Sequence, residues 1–83
     1  MTLSEFLSEF ERAARQPSGS INGNETLKSL KGWDSLAWVE FMSMADEKLG
    51  LHLDPARIAA CTRVLDLAAL CGVESGPTVS KAV

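Results

Sequence analysis

A small all-α bundle, with three longer helices and one short third helix, is the fold this sequence predicts. Three observations carry that expectation. Apolar residues recur at three- and four-residue steps, helix start and stop residues bracket four stretches, and no segment alternates polar and apolar residues as a half-buried strand would. At 83 residues the chain has room for one domain, and an apolar fraction of 46% is enough to build a core. A domain this short buries a modest share of its surface and is expected to be marginally stable.

The first helix is expected over residues 3–15. Leu3, Phe6, Leu7, Phe10 and Ala14 share one face, Thr2 with Glu5 fits a capping box, and Pro17 followed by Ser-Gly-Ser closes the segment. A long loop over residues 16–33 follows, rich in Gly, Ser and Asn. Loops of that length in a compact domain are functional or pinned by their own side chains, and Ile21, Leu27 and Leu30 are the candidate pins. The second helix is expected over 35–48, with Asp34 as N-cap and Gly50 as its stop. Asp54 and Pro55 mark a short third helix over 55–60, the proline standing where a missing N–H costs nothing. Thr62 is the candidate cap of a fourth helix over 63–71, closed by Gly72. Residues 1–72 are thus the predicted domain, and 73–83, without periodicity, a flexible tail.

Charge and cysteine usage narrow the function classes. A net charge of −3 and a pI near 5.0 argue against nucleic acid, whose binding needs a basic face to displace counterions from phosphate. With neither a basic, apolar-cored leader nor a long apolar run, no membrane association is expected, and the reducing cytoplasm is the expected compartment. Cys61 and Cys71 lack metal-ligand spacing and share the chain with one histidine, so no metal site is expected and both are read as buried reduced thiols.

The second helix is apolar on more than one side. Trp38, Phe41, Met42, Ala45 and Leu49 form a stripe assigned to the core. Beside and opposite it lie Leu36, Val39, Glu40, Ser43, Asp46 and Glu47. Single exposed apolar residues are ordinary. A docking strip with an apolar centre and a negative rim is the sharper alternative.

Ser35, in the run Gly32-Trp33-Asp34-Ser35-Leu36, admits three readings. A hydrolytic nucleophile needs a base and an orienting acid, but the one histidine, His52, lies beyond the helix, and no G-x-S-x-G elbow surrounds the serine. No catalytic residue is therefore expected. A serine at a helix start is also unremarkable by propensity. Thirdly, another enzyme modifies it: a phosphodiester at a helix N-terminus is favoured by free backbone N–H groups and the positive dipole end.

The neighbours decide among these. Gly32 to Leu36, a helix with apolar and acidic exposed residues, then Leu51-His52-Leu53-Asp54-Pro55, a short helix and a final helix, resemble the acyl carrier protein family, which includes aminoacyl and peptidyl carriers. The resemblance covers roughly Leu3 to Gly72 and is closest to stand-alone carriers of specialised pathways. It implies that Ser35 is the attachment point for 4′-phosphopantetheine, transferred from coenzyme A by a phosphopantetheinyl transferase, with Asp34 as the flanking acid. Cargo would be held as a thioester, added by an acyl- or aminoacyl-loading enzyme and passed to downstream transferases. Leu36, Val39 and Glu40 match the family's docking residues, Asp46 and Glu47 its acidic rim, and a monomer is implied. Two departures stand out: Ala37 where fatty-acid carriers often have a second acid, and Arg57 in a third helix that is acidic in those carriers. Bulky Trp38 and Phe41 on the inward stripe point to short or polar cargo, since filled interiors accept extra volume only with strain. The alternative is a small helical interaction module without a covalent prosthetic group.

Overall fold

The computed structural model describes residues 1–73. Four helices run in the order α1 (Leu3–Ala13), α2 (Ser35–Leu49), α3 (Pro55–Ala59) and α4 (Val64–Leu70), with one 3-10 turn, Leu27–Ser29, inside the long first connection. Among the described residues there is no strand, only an isolated bridge between Thr26 and Arg63.

Local chemistry sets most helix ends. Thr2 Oγ1 accepts from the Glu5 N–H at 3.1 Å while Glu5 Oε1 accepts from the Thr2 N–H at 2.9 Å, closing a capping box on α1. Asp54 caps α3 through the Ala56 N–H at 3.0 Å. α1 stops at Ala13, short of the expected residue 15, because Arg15 takes a left-handed backbone, φ 57°. The Arg15 and Gln16 N–H groups then return to the Arg12 and Glu11 carbonyls at 3.3 and 2.8 Å, a Schellman closure. α2 and α4 also end at a left-handed residue, but there it is glycine, Gly50 (φ 67°) and Gly72 (φ 76°). Arginine in that conformation costs roughly 1–2 kcal/mol.

Two details of the expected elements change. Thr62 does not cap α4; Arg63 holds the N-cap position, and Asp66 reaches back so that one oxygen, Oδ2, accepts from the Thr62 and Arg63 N–H groups at 2.9 Å each. The chain expected to leave the bundle at residue 73 stays in it through Val73, which is buried and donates its N–H to the Ala68 carbonyl at 2.8 Å. The rest of the expected tail, 74–83, lies outside the described residues.

The core gathers Phe6 and Phe10 from α1, Phe41 from α2, Ile58 from α3, and Val64 and Leu67 from α4, all fully buried. The inward face of α2 differs from the expected stripe. Ala37, Phe41, Met44 and Ala45 are buried, whereas Trp38, Met42 and Leu49 are half-buried on its flank. A helix apolar on several sides offers more than one face at helical spacing, and packing against α1 selects the one with the small Ala37. Cys71 is buried as expected; Cys61 is only half-buried, at the junction between α3 and α4.

The first connection is held rather than loose. Buried Glu11 of α1 accepts from the Gly19 and Ile21 N–H groups at 3.1 and 3.0 Å. Further on, the Leu27 N–H donates to Thr62, and the Val64 and Leu65 N–H groups donate to Glu25 and Gly23, fastening the loop to the start of α4. Ile21 and Leu27 are buried beneath it, and Leu30 half-buried.

Candidate functional site

Three consecutive residues fix the entry into α2. Gly32 passes so close to the end of α1 that a Cβ there would lie 1.7 Å from the Ala14 carbonyl oxygen, so no side chain fits. Trp33 plugs the aromatic cluster beneath, its ring 5.3 Å from Phe10, 5.9 Å from Phe41 and 6.2 Å from Trp38. Asp34 uses both carboxylate oxygens: Oδ1 accepts from the Ala37 N–H at 3.0 Å, and Oδ2 from Arg15 Nη2 at 2.7 Å. The Ala37 N–H, and after it the Arg15 guanidinium, hold this carboxyl below the usual carboxylate range.

Ser35 follows as the first residue of α2 and is exposed. Among the described residues, neither the Ser35 nor the Leu36 N–H has a hydrogen-bond acceptor. The hydroxyl therefore stands on a firmly held corner beside free N–H groups at the positive end of a 15-residue helix. That corner suits an anion covalently attached to the oxygen. It offers no machinery for activating the serine, because Asp34 is engaged on both oxygens and His52 lies beside Asp46, its Nε2 3.7 Å from Oδ1. Among the described residues no three potential ligands converge to hold a metal ion.

Down the outer face of α2, Leu36 and Val39 are 58% and 60% exposed. Glu40, Asp46 and Glu47 are exposed too, but they divide between two flanks. Glu40 and Glu47 border a groove of about 430 Å³ with Lys48 of the same helix and with Glu9 and Arg12 of α1. There Glu9 pairs with Lys48 at 3.5 Å and with Arg12 at 3.4 Å. Asp46 borders a groove of about 390 Å³ with Val39, Met42, Leu51, His52 and Leu53. On the Glu47 flank, the rim expected to be acidic is thus interleaved with Arg12 and Lys48, while Asp46 stands on the other flank beside His52.

Arg15 is the part of the site that sequence reasoning passed over, while Gly32 and Trp33 were read as part of the motif around Ser35 without a structural role. The Gly-Trp pair directly before the Asp-Ser start was a visible signal, since a glycine and a large aromatic at a helix entry imply close approach and anchoring. Arg15 gave no signal, because its partner lies 19 residues away.

Comparison with protein families matches residues 4–71 to the model described as phosphopantetheine attachment site. Neither a curated protein nor a solved structure matches the chain.

Proposed function

This chain belongs to the phosphopantetheine attachment-site family, carrier domains of the acyl carrier protein type, and from that membership we propose that Ser35 bears the arm. Domains of this family carry covalently attached 4′-phosphopantetheine, are not catalytic in themselves, and work with a phosphopantetheinyl transferase and with biosynthetic enzymes. When bound, the group supplies a terminal thiol that holds cargo as a thioester. The observation that supports Ser35 is its exposed hydroxyl at the first position of α2, beside the free Ser35 and Leu36 N–H groups. Asp34, Gly32 and Trp33 keep that corner in place for a transferase to reach.

In the same reading, Leu36, Val39 and Glu40 meet partner enzymes, with Asp46 and Glu47 on either flank. Contact through so small a strip suits a monomer that visits its partners briefly. The setting is cytoplasmic, and Cys61 and Cys71 are free thiols. Burial pushes the Cys71 thiol up to about 11, and burial followed by the Asp66 charge raises Cys61. Both stay protonated at neutral pH and compete poorly with the arm for a thioester. No helix among the described residues is long and apolar enough to cross a membrane.

The cargo is short or polar and the pathway specialised. Phe41 and Ala45 are fully buried and Met44 nearly so, while Trp38 meets Trp33 over the flank, so α2 turns a filled face inward. Making room for a long chain would cost about 1–3 kcal/mol. Loading acyl chains of graded length tests this: thermal midpoints independent of length are expected, and a midpoint that climbs with length overturns the short-cargo reading.

The attachment itself is tested by intact mass after incubation with coenzyme A and a broad-specificity transferase. One phosphopantetheine is expected on the wild type and none on Ser35→Ala, whose circular dichroism should match the wild type. An adduct that persists in Ser35→Ala, or none on the wild type, overturns the assignment.

A further inference from the structure

Arg15 stands where two of the other helices place glycine. α1, α2 and α4 each end at a left-handed residue, Gly50 and Gly72 at two of them and Arg15 at the third, whereas α3 ends on right-handed Ala60. The backbone alone gives no reason for a side chain there. The side chain does have a destination: Nη2 donates to Asp34 Oδ2 at 2.7 Å, one residue before Ser35. In the unmodified protein this is an ion pair about half open to water on both sides, of a kind that contributes little to stability. Asp34 also caps α2 through its other oxygen, which Arg15 does not touch.

Resting on Ser35 as the attachment point, we propose that Arg15 is the counter-charge for the phosphodiester, a positioning residue whose guanidinium spans the Asp34 carboxylate and the phosphate on Ser35. A phosphodiester there sets a second negative charge one residue from Asp34, and like charges at such range repel. Guanidinium is suited to relieve this, being planar, permanently charged and furnished with five N–H donors, enough to serve two acceptors at once. It comes from the end of α1, so the modified serine is tied to a second helix as well as its own. The arm's first atoms would thereby be held in one direction, with the Ser35 and Leu36 N–H groups, which have no acceptor among the described residues, available to the phosphate from α2.

A cycle between Arg15 and the arm tests this. Wild type, Arg15→Gly and Arg15→Lys are prepared with and without the arm, its presence verified by intact mass, and thermal midpoints are compared at low salt. Without the arm, Arg15→Gly should melt within about 2 °C of wild type or above it, because glycine is the preferred residue for that turn. The arm should lower the midpoint of Arg15→Gly by about 2–4 °C more than that of wild type, with Arg15→Lys between them. That difference should vanish near about 1 M salt, where exposed charges are screened. The 31P resonance of the arm should also move between wild type and Arg15→Gly. An equal effect of the arm in all three proteins, with unchanged 31P resonances, overturns the role of Arg15 and leaves Ser35 as the attachment point. Failure of the wild type to accept any arm overturns both.

Discussion

Two acids in this chain do opposite kinds of work with the same chemistry. Glu11 is buried, 5% exposed, and spends both oxygens on the Gly19 and Ile21 N–H groups of the long loop. Glu11→Gln keeps the shape but turns one acceptor into a donor facing an N–H, leaving buried polar groups unpaired at a cost of about 1–3 kcal/mol. Urea unfolding should show that loss, with Ser35 still open to modification. Asp34, in contrast, is exposed, and its carboxyl is held low by the Ala37 N–H and then by Arg15. Since the folded value lies below the unfolded one, its contribution is present above about pH 4 and is lost as the pH falls through the lower folded value. Asparagine caps as well as aspartate but carries no charge. Asp34→Asn should therefore lose less of its thermal midpoint than wild type between neutral pH and about pH 3.

At the level of elements, the start of α4 shows how few atoms hold this bundle in register. Asp66 gathers the Thr62 and Arg63 N–H groups on one oxygen, and those hydrogen bonds set its carboxyl below the usual range. The same turn receives the long loop through Leu27, Val64 and Leu65. Asp66→Ala should lower the thermal midpoint by roughly 5 °C. Hydrogen exchange should quicken in the loop around residues 23–27 as well as in α4. The ends of helices were legible in the sequence wherever the signal was local. Thr2 with Glu5, Asp34, Gly50, Asp54 with Pro55, and Gly72 each act within a few residues of themselves. One local choice was misread: Thr62 and Asp66 are both able to cap the start of α4, and it is Asp66, three to four residues on, that takes the Thr62 and Arg63 N–H groups. The other choices that could not be read were made by distant partners. Arg15 and Asp34 are joined only by folding, as are Glu11 and the loop. The core face of α2 was misplaced for a related reason. Apolar residues on several sides leave the helix without a unique inward direction until α1 packs against it. The same excess made the outer strip visible, because Leu36 and Val39 had no place in the core stripe. Val39→Glu, on a side chain 60% exposed, should change stability by less than about 0.5 kcal/mol while slowing arm transfer, measured as kcat/KM of the transferase.

Across the whole molecule, the candidate site and the core share one aromatic cluster. Trp33 meets Phe10 of α1 and both Phe41 and Trp38 of α2, and Phe41 in turn meets Phe6 edge-on at 5.9 Å. The residue two before Ser35 is thus a strut between the two longest helices, and it is half-buried rather than sealed within the core. A chain this small has a total stability of about 4–12 kcal/mol, so any one of these contacts is a sizeable share of it. Stability alone cannot separate the strut from ordinary packing, but a matched pair of variants can. Leu67, fully buried in α4, is a core side chain outside the aromatic cluster. Trp33→Ala and Leu67→Ala should each cost about 2–5 kcal/mol in urea unfolding. At a temperature where both remain folded, Leu67→Ala should accept the arm at the wild-type rate. Trp33→Ala should accept it several-fold more slowly, because Gly32 and Asp34 lose the plug that holds them against α1, and the hydroxyl is no longer offered in a single orientation. Equal transfer rates in the two variants would mean that Trp33 serves the core and leaves the presentation of Ser35 to Asp34 alone.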